Sequence, residues 1–484
     1  MASPENTSPK RAMGLRDLIL FYVVTGISLR WIAAAAAAGP SSLIIWLGAW
    51  LTFYLPLTLS VTELTSRFPQ EGGLYVWTKH AFGDFSGFMC AWMYWTCNLP
   101  YFPSVLYFAA GNALYLGGTR WLGLAKSPTF FIVFACSALV LATILHIVGL
   151  NIGKWLNNIG AIGMWAPIAM IIGMGLLAWW RFGSATQFTR STMIPATRLT
   201  DIVFWSILTF AFAGSEAASF MAEEIKDPRR NMPRALFVGG ALVTIGYIGG
   251  TLCVLLALPS TKLNGLEGIM QAIAATAERV GWLGAGWLGA GWFGIVPLVA
   301  LLITLSNLGA AGAFLAATAR LPFVAGIDRY LPAAFGRLHP RWGTPYVALL
   351  TQTAVALVFV FLGQAGTSVK GAYDVMVSLG VITYFIPFQF LFAVMIKVQR
   401  DPAGPGVFRV PGGKPVAIVL ATVGFTVTTA AIVLSIIPAA DEPNKVLAVV
   451  KIVGLTSILL VVGAALYAVP KVKRRLATRH AQKN

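Results

Sequence analysis

Long apolar runs dominate the chain and set the pattern of predicted elements. Each run has about the 20 residues that a helix needs to cross the hydrocarbon layer of a bilayer. Only short polar connections separate the runs, and no long hydrophilic segment interrupts the series. The pattern therefore predicts an all-α integral membrane protein without a soluble domain. Its twelve predicted transmembrane helices are 17–38, 43–65, 84–113, 127–149, 159–181, 202–222, 235–257, 292–318, 346–363, 374–396, 416–438 and 446–469.

Two of these runs contain small and polar residues where a helix could be interrupted. Thr25-Gly26-Ile27-Ser28 lies within the first run, and Ala213-Gly214-Ser215 lies within the sixth. Interrupted helices at matching places in two halves are typical of transporters built from inverted repeats, which hold the substrate near the middle of the membrane. Close helix packing through glycine is the alternative explanation. The spacing alone does not decide between the two.

Two charged residues follow these interruptions. Glu216 is the acidic residue nearest the middle of a predicted span, whereas Glu63 lies toward the inner end of the second. An ionisable group at that depth usually faces a cavity or a partner. Arg30 follows the first interruption as Glu216 follows the second, so we expect both to border one central cavity. There Arg30 could pair with Glu216 or receive a substrate carboxylate. There are plainer alternatives for both residues. Glu216 could bond only to a neighbouring helix, and Arg30 could extend to the membrane surface.

The composition agrees with the membrane prediction and limits the partners. Hydrophobic residues make up 57% and charged residues 11% of the chain, against roughly 25% charged residues in soluble domains. The net charge of +18 comes from Lys and Arg that concentrate in the N-terminal segment, alternate connections and the C-terminal segment. This distribution follows the positive-inside rule and places both termini in the cytoplasm, so the lipid bilayer is the expected partner and nucleic acid is not.

The remaining polar residues argue against several functions. The four cysteines lie within predicted spans without a CxxC spacing, and the four histidines are scattered, so we expect no disulfide, metal site or cofactor. A membrane enzyme would need a His/Asp/Glu cluster, and a channel would need a continuous polar pore. Neither pattern is present in the sequence, and we predict that the protein is not an enzyme. The free ends of two broken helices instead suit a zwitterion such as an amino acid.

Three segments resemble one family of membrane proteins. They are ELTSRFPQEGGLYVWTKHAFGDFSGFMCAWMYW (63–95), FAFAGSEAASFMAEEIKDPRRNMPRAL (210–236) and RLPFVAGIDRYLPAAFGRLHPRWGTPYVALL (320–350). All three are similar to signatures of the amino acid, polyamine and organocation permeases, in the same order. Within that superfamily, SLRWIAAAAAAGPSS is similar to span 1 of the glutamate/γ-aminobutyrate antiporter group.

The resemblance implies a fold and an activity. The fold is a LeuT-like arrangement of five plus five helices in inverted repeats, with helices 1 and 6 broken and two helices added. On this chain it implies one domain over 1–484, with a cytoplasmic tail (1–16), a first repeat (17–181), a second repeat (202–396), helices 11 and 12 (416–469) and a basic cytoplasmic tail (470–484). Such permeases move amino acids or related amines across the cell membrane by alternating access, as exchangers or with H⁺ or Na⁺.

The resemblance also implies site residues. The backbone of the sixth-span interruption would meet the substrate amino group, and Glu216 would be a gate. Phe210 and Phe314 would be gating aromatic residues, and Asn98 would contact substrate. With the first-span interruption, the candidate substrate-binding residues are Thr25, Gly26, Ser28, Leu29, Arg30, Asn98, Phe210, Ala213, Gly214, Ser215, Glu216 and Phe314.

The sequence departs from the family at two places. Ser28-Leu29-Arg30 replaces a Gly-x-Gly whose amides hold the substrate carboxylate, so Arg30 could replace or modify that contact. Met164 stands where proton-coupled relatives carry a lysine, which leaves exchange or another coupling route open. A polyamine or other organic cation is the alternative substrate; it would need carboxylates or aromatic faces rather than a buried arginine.

Overall fold

The structure is a computed structural model that describes residues 13–70, 72–117, 119–148, 150–260, 268–280, 295–322, 330–438, 442 and 444–481. Helices account for most of these residues, and the β-type pairing among them is a single bridge between Met13 and Ile225. Ten helices in the described part are long and apolar enough to cross a membrane. The prediction of an all-α, multi-pass membrane protein is therefore confirmed.

The helices follow one another along the chain with short connections. In order they are α1 (Leu15–Gly26), α2 (Leu29–Ala37), α3 (Ser41–Arg67), α4 (Leu74–Phe82), α5 (Asp84–Thr96), α6 (Asn98–Ala113), α7 (Pro128–Val148), α8 (Leu150–Phe182), α9 (Leu199–Ala211), α10 (Pro228–Ala257), α11 (Gly268–Val280), α12 (Ile295–Thr318), α13 (Tyr346–Gln364), α14 (Val369–Val398), α15 (Gly413–Leu434) and α16 (Lys445–Ala481). Turns of π-helix interrupt α3 at Trp50–Tyr54 and α10 at Ile245–Gly249.

The third and sixth predicted spans are divided into shorter helices. The third consists of α5 and α6, which meet at Cys97. The sixth consists of α9, an irregular stretch over residues 212–216 and a 3₁₀-helix at Ala217–Glu224. Neither belongs to the ten long apolar helices. The count of twelve spans and the inverted repeat therefore remain predictions.

The first predicted span is broken where the sequence indicated. Helix α1 ends at Gly26 and α2 begins at Leu29, while Ile27 and Ser28 between them are extended. Glycine and serine form helices poorly, because glycine has a large backbone entropy and serine competes for backbone hydrogen bonds. The break frees backbone groups that α1 and α2 cannot satisfy themselves.

The two breaks touch through their backbones. Gly214 has φ +119°, a conformation that residues with a side chain rarely adopt. A Cβ added there would lie 2.5 Å from the Thr25 carbonyl oxygen and 3.4 Å from the Gly26 Cα. The absence of a side chain at Gly214 thus allows the irregular stretch of the sixth predicted span to approach the end of α1.

The helices differ in how much of their surface the protein buries. The most hydrophobic windows of α1–α2, α12 and α14 are each 72% buried, whereas those of α15 and α16 are 28% and 22% buried. Helix α1 packs against α8, α10 and α12, and α8 packs along α12. A Cβ at Gly163 of α8 would lie only 2.4 Å from the Leu302 carbonyl oxygen, so glycine allows this close packing. The breaks therefore lie inside the bundle, and α15 and α16 lie at its edge.

A buried carboxylate ties the end of α3 to the connection between α14 and α15. Glu63 Oε1 accepts hydrogen bonds from Arg67 Nη2 and Gln399 Nε2, both at 2.8 Å. Its Oε2 accepts from the Val410 backbone N–H at 2.9 Å. Since Glu63 is 1% exposed, these donors compensate for its removal from water.

Candidate functional site

Glu216 is the last residue of the irregular stretch in the sixth predicted span, and it is fully buried. Its Oε1 accepts hydrogen bonds from the Tyr94 hydroxyl at 2.7 Å and the Tyr384 hydroxyl at 2.5 Å. Its Oε2 accepts from the backbone N–H of Gly214 at 3.2 Å. The carboxylate therefore connects α5, α14 and the break through three donors.

Arg30 lies at the start of α2 and is 4% exposed. Its Nη1 donates to the Ser104 hydroxyl at 3.4 Å, and its guanidinium carbon lies 4.3 Å from the centroid of the Trp31 ring. Its Nε is buried without a hydrogen-bond partner. The hydroxyl groups of Tyr101 and Tyr373 are electrostatic neighbours of the guanidinium. The guanidinium thus retains an unused donor in a polar, aromatic environment.

Arg30 and Glu216 do not pair in this structure. Within the described residues, Arg30 donates to Ser104 of α6 and adjoins Tyr373 of α14, whereas Glu216 accepts from α5, α14 and its own break. Of the two roles expected for Arg30, pairing with Glu216 is thus not observed, and binding a substrate carboxylate stays a prediction.

Aromatic rings lie between the two charges. The ring of Phe210 is edge-on to Trp31, with 6.0 Å between centroids, and edge-on to Tyr384, at 5.6 Å. Trp31 contacts Arg30, and Tyr384 donates a hydrogen bond to Glu216. Phe210 therefore packs between a neighbour of the arginine and a neighbour of the glutamate. The other predicted aromatic, Phe314, packs against Tyr101 at 4.9 Å on the Arg30 side. Both predicted gating residues therefore contact aromatic residues that adjoin the charged groups.

The other candidate residues have local partners in this conformation. Thr25 Oγ1 donates back to the Phe21 carbonyl at 2.9 Å, and Asn98 Nδ2 donates to the Tyr94 carbonyl at 2.9 Å. Asn98 Oδ1 is buried and has no hydrogen-bond partner, and its contact with substrate stays a prediction. Leu29 and Ala213 are buried.

A small cavity adjoins the breaks. It measures about 10 Å³, roughly the room for one water molecule. Ser215, Tyr22, Tyr54 and Gly26 contribute to its wall. The hydroxyl of Tyr22 is buried without a partner and could therefore bind such a water molecule.

Sequence reasoning missed the tyrosines that complete the site. Tyr94 lies four residues before Asn98, on the same helical face, and this spacing was the available signal for it. Tyr384 lies in α14, whose uniform hydrophobicity gives no such signal. Tyr247 in α10 bridges the two breaks through its hydroxyl group and is flanked by glycines in the sequence IGYIGG.

A helical multi-pass membrane protein whose broken helices meet beside buried charges has the features of a membrane transporter. The sequence model described as "Amino acid permease" matches residues 14–469. Because this match covers most of the chain, the protein belongs to that family. The predicted resemblance is thereby confirmed, as are the predicted transport and membrane character.

Similar proteins from bacteria are transporters by name. An uncharacterized transporter of Legionella pneumophila is 28% identical over 90% of this chain and 92% of its own length. The probable agmatine/putrescine antiporter AguD of Lactococcus lactis is 22% identical over 89% of each chain. The serine/threonine exchanger SteT of Bacillus subtilis is 26% identical over 84% of this chain and 88% of its own. The family and these relatives are transporters rather than enzymes.

Proposed function

We propose that the protein is a secondary active transporter that moves amino acids across the cytoplasmic membrane by alternating access. The observation that carries this proposal is that two helix breaks meet beside a buried arginine and a buried glutamate. Arg30 has an unpaired Nε that, together with a neighbouring N–H, suits a carboxylate in a bidentate geometry. Glu216 suits an ammonium group. A zwitterion matches this pair of charges.

Substrate entry requires the aromatic rings between the charges to move. Trp31, Phe210 and Tyr384 are in edge-on contact, and such ring pairs contribute about 0.5–1.5 kcal/mol each beyond their burial. Rearranging them is therefore inexpensive compared with the interactions that a charged substrate can offer. In this proposal the repeats 17–181 and 202–396 move relative to each other, and both termini lie in the cytoplasm.

Proteoliposomes test the activity directly. Vesicles preloaded with mixed amino acids are compared with empty ones, using labelled serine, threonine, glutamate, agmatine and putrescine with and without a pH or Na⁺ gradient. Uptake that requires internal amino acid supports exchange, and gradient-driven uptake into empty vesicles supports ion coupling. Failure of every amino acid to enter under any of these conditions would refute the proposal.

The role of Arg30 gives a specific prediction. The substitution Arg30→Gln removes the positive charge, so the half-saturating amino acid concentration should rise about tenfold or more, because hydrogen bonds to charged groups contribute roughly 1.5–3 kcal/mol. The matched control is Arg181→Gln, since Arg181 bonds the Val280 carbonyl away from both breaks. Concentration-dependent uptake in proteoliposomes provides the measurement. An unchanged half-saturating concentration in Arg30→Gln would exclude Arg30 from the substrate site.

A polyamine or another organic cation is the second candidate substrate. The buried Glu216 and the rings of Phe210 and Tyr384 favour it, because carboxylates and aromatic faces attract organic cations. Arg30 opposes it by adding a positive charge nearby. Competition separates the candidates: inhibition of uptake by amino acids but not by diamines supports the first, and the reverse supports the second.

A further inference from the structure

The contacts of the Arg30 guanidinium leave one of its donors unused. Its Nη1 donates to the Ser104 hydroxyl of α6 at 3.4 Å, and the guanidinium carbon lies 4.3 Å from the centroid of the Trp31 ring. Its Nε is buried without a hydrogen-bond partner, which is unfavourable for a polar group. The oxygen of a substrate carboxylate would satisfy this donor.

Ser104 can orient the arginine but has no hydrogen left for a substrate. A serine hydroxyl has a single hydrogen, and that of Ser104 goes to the Tyr101 carbonyl oxygen at 2.9 Å. The Ser104 oxygen accepts from Arg30. Any further hydroxyl donor to a carboxylate beside Arg30 therefore comes from another residue.

Tyr373 of α14 brings a second hydroxyl group to the guanidinium. Both Tyr101 and Tyr373 are electrostatic neighbours of Arg30, and Tyr373 also makes a side-chain hydrogen-bond contact with it. The half-buried Asp374 is a weaker neighbour of the same hydroxyl. An arginine has N–H donors only, so it can use the tyrosine oxygen but not the tyrosine hydrogen. That hydrogen can therefore be donated to a carboxylate oxygen beside the guanidinium.

Helix α14 brings a tyrosine to each of the two buried charges. Tyr373 adjoins Arg30, and Tyr384 donates to Glu216 at 2.5 Å. The two tyrosines are 11 residues apart, which is close to three helical turns, so both lie on one face of α14. The same face of one helix thus adjoins the arginine at one level and the glutamate at another.

We propose that Tyr373 is a specificity-determining residue whose hydroxyl donates to the substrate carboxylate beside Arg30. Ser104 is a positioning residue that orients the guanidinium for the same carboxylate. This inference rests on the proposed function, because it assigns both residues to the amino acid site. It adds a requirement for the substrate: the carboxylate must be free and charged, so a carboxamide of nearly the same shape binds poorly.

Competition between an amino acid and its carboxamide tests the assignment. The labelled substrate is whichever of serine, threonine and glutamate the wild type takes up fastest into proteoliposomes. The competitors are the same amino acid and its α-carboxamide, which keeps the ammonium group and the side chain but lacks the negative charge of the carboxylate. The discrimination ratio is the half-inhibiting concentration of the carboxamide divided by that of the amino acid.

Two pairs of variants separate the hydroxyl groups from the packing around them. Tyr373→Phe keeps the ring and loses the hydroxyl. Its matched control is Tyr107→Phe, because Tyr107 lines the same crevice between α6, α13 and α14 but its hydroxyl donates to Gln364 at 3.3 Å. Ser104→Ala removes the hydroxyl that accepts from Arg30, and Ser104→Thr keeps one.

The variants should differ in discrimination. The wild type should have a ratio of about ten or more, and Tyr373→Phe and Ser104→Ala should lower it about fivefold or more, because hydrogen bonds to a charged group are strong. Inhibition by the amino acid should weaken in these two variants, and inhibition by the carboxamide should not. Tyr107→Phe and Ser104→Thr should keep the wild-type ratio. A merely structural role would weaken inhibition by both compounds and leave the ratio unchanged.

Several outcomes would overturn the inference. A wild-type ratio in Tyr373→Phe would do so, as would an equal fall in Tyr107→Phe. Should Tyr373→Phe not be recovered after purification, the Ser104 variants decide: a fall in Ser104→Ala that Ser104→Thr reverses supports the inference, and a wild-type ratio in Ser104→Ala overturns it.

The wild type distinguishes this inference from the proposed function. A wild type that takes up no amino acid would refute the proposed function itself. A wild type that takes up amino acids but has a ratio of about one would leave transport standing and would refute the carboxylate assignment, since the carboxamide would then bind as well as the amino acid.

Discussion

At the scale of single residues, Glu216 is surrounded by donors that carry no charge. Tyr94 and Tyr384 donate to one carboxylate oxygen, and their own hydroxyl oxygens lie 3.1 Å apart. Hydroxyl donors stabilise a buried carboxylate without cancelling its charge. In the proposed function, the glutamate would therefore keep its attraction for a substrate ammonium group, which a salt bridge to Arg30 would have reduced.

Removing that charge should impair transport. Glu216→Gln has nearly the same shape but removes the charge and one carboxylate oxygen that accepts from the Gly214 N–H, so we expect amino acid uptake to fall about tenfold or more. Tyr384→Phe is the control that keeps the charge and deletes one donor, and it should lose less. Counterflow in proteoliposomes with equal protein content measures both. Wild-type uptake by Glu216→Gln would contradict the assignment.

At the scale of elements, the irregular stretch of the sixth predicted span depends on the residue that approaches α1. Gly214 adopts a positive φ and leaves no room for a Cβ beside the Thr25 carbonyl oxygen. At the same junction the Gly214 N–H donates to the Glu216 carboxylate, and the Tyr247 hydroxyl lies beside the Ala211 carbonyl oxygen. A single added carbon atom at Gly214 would therefore disturb the contact between the two breaks.

A methyl group at that position should destabilise the protein. Gly214→Ala combines a disfavoured backbone conformation with a contact to a backbone oxygen, so the free energy of unfolding should fall by about 1–3 kcal/mol. Gly48→Ala is the control, because Gly48 lies in helix α3 with nothing within 4 Å of the added Cβ. Tm values in detergent report both changes. Equal Tm values for the two variants would contradict the close approach of the breaks.

At the scale of the whole molecule, Glu63 joins segments that are far apart in sequence. Its Oε2 binds the Val410 N–H, 347 residues away, and Oε1 binds Gln399, 336 residues away. The same carboxylate pairs with Arg67, whose side chain is 9% exposed. This network fixes the end of α3 against the α14–α15 connection.

Breaking this network should be costly. Glu63→Ala leaves the Arg67 guanidinium buried without its carboxylate, and losing one partner of a buried ion pair lowers the free energy of unfolding by about 3–5 kcal/mol. The control is Asp84→Asn, which removes a half-exposed ion pair with Lys79 at 3.8 Å. This substitution should change the free energy of unfolding by less than about 1 kcal/mol. Thermal unfolding of both variants provides the comparison. Similar losses would contradict the prediction that the buried Glu63 network contributes more to stability than the exposed pair.

The sequence by itself determined the membrane class, the two interruptions and the two buried charges. Hydrophobic run length, glycine placement and the cost of a charge in lipid are local properties, and a single chain displays them. The divided third predicted span was not foreseen, because Cys97 and the prolines after it lie within an apolar run.

Only the tertiary structure decided which groups these residues contact. The bond from Tyr384 to Glu216 crosses 168 residues, and the bond between Ser28 and Tyr247 crosses 219. Such partners depend on the rotation and packing of whole helices, which similar apolar sequences do not specify. For that reason Arg30 could be identified as a buried charge, while its separation from Glu216 and the bridging role of Tyr247 could not.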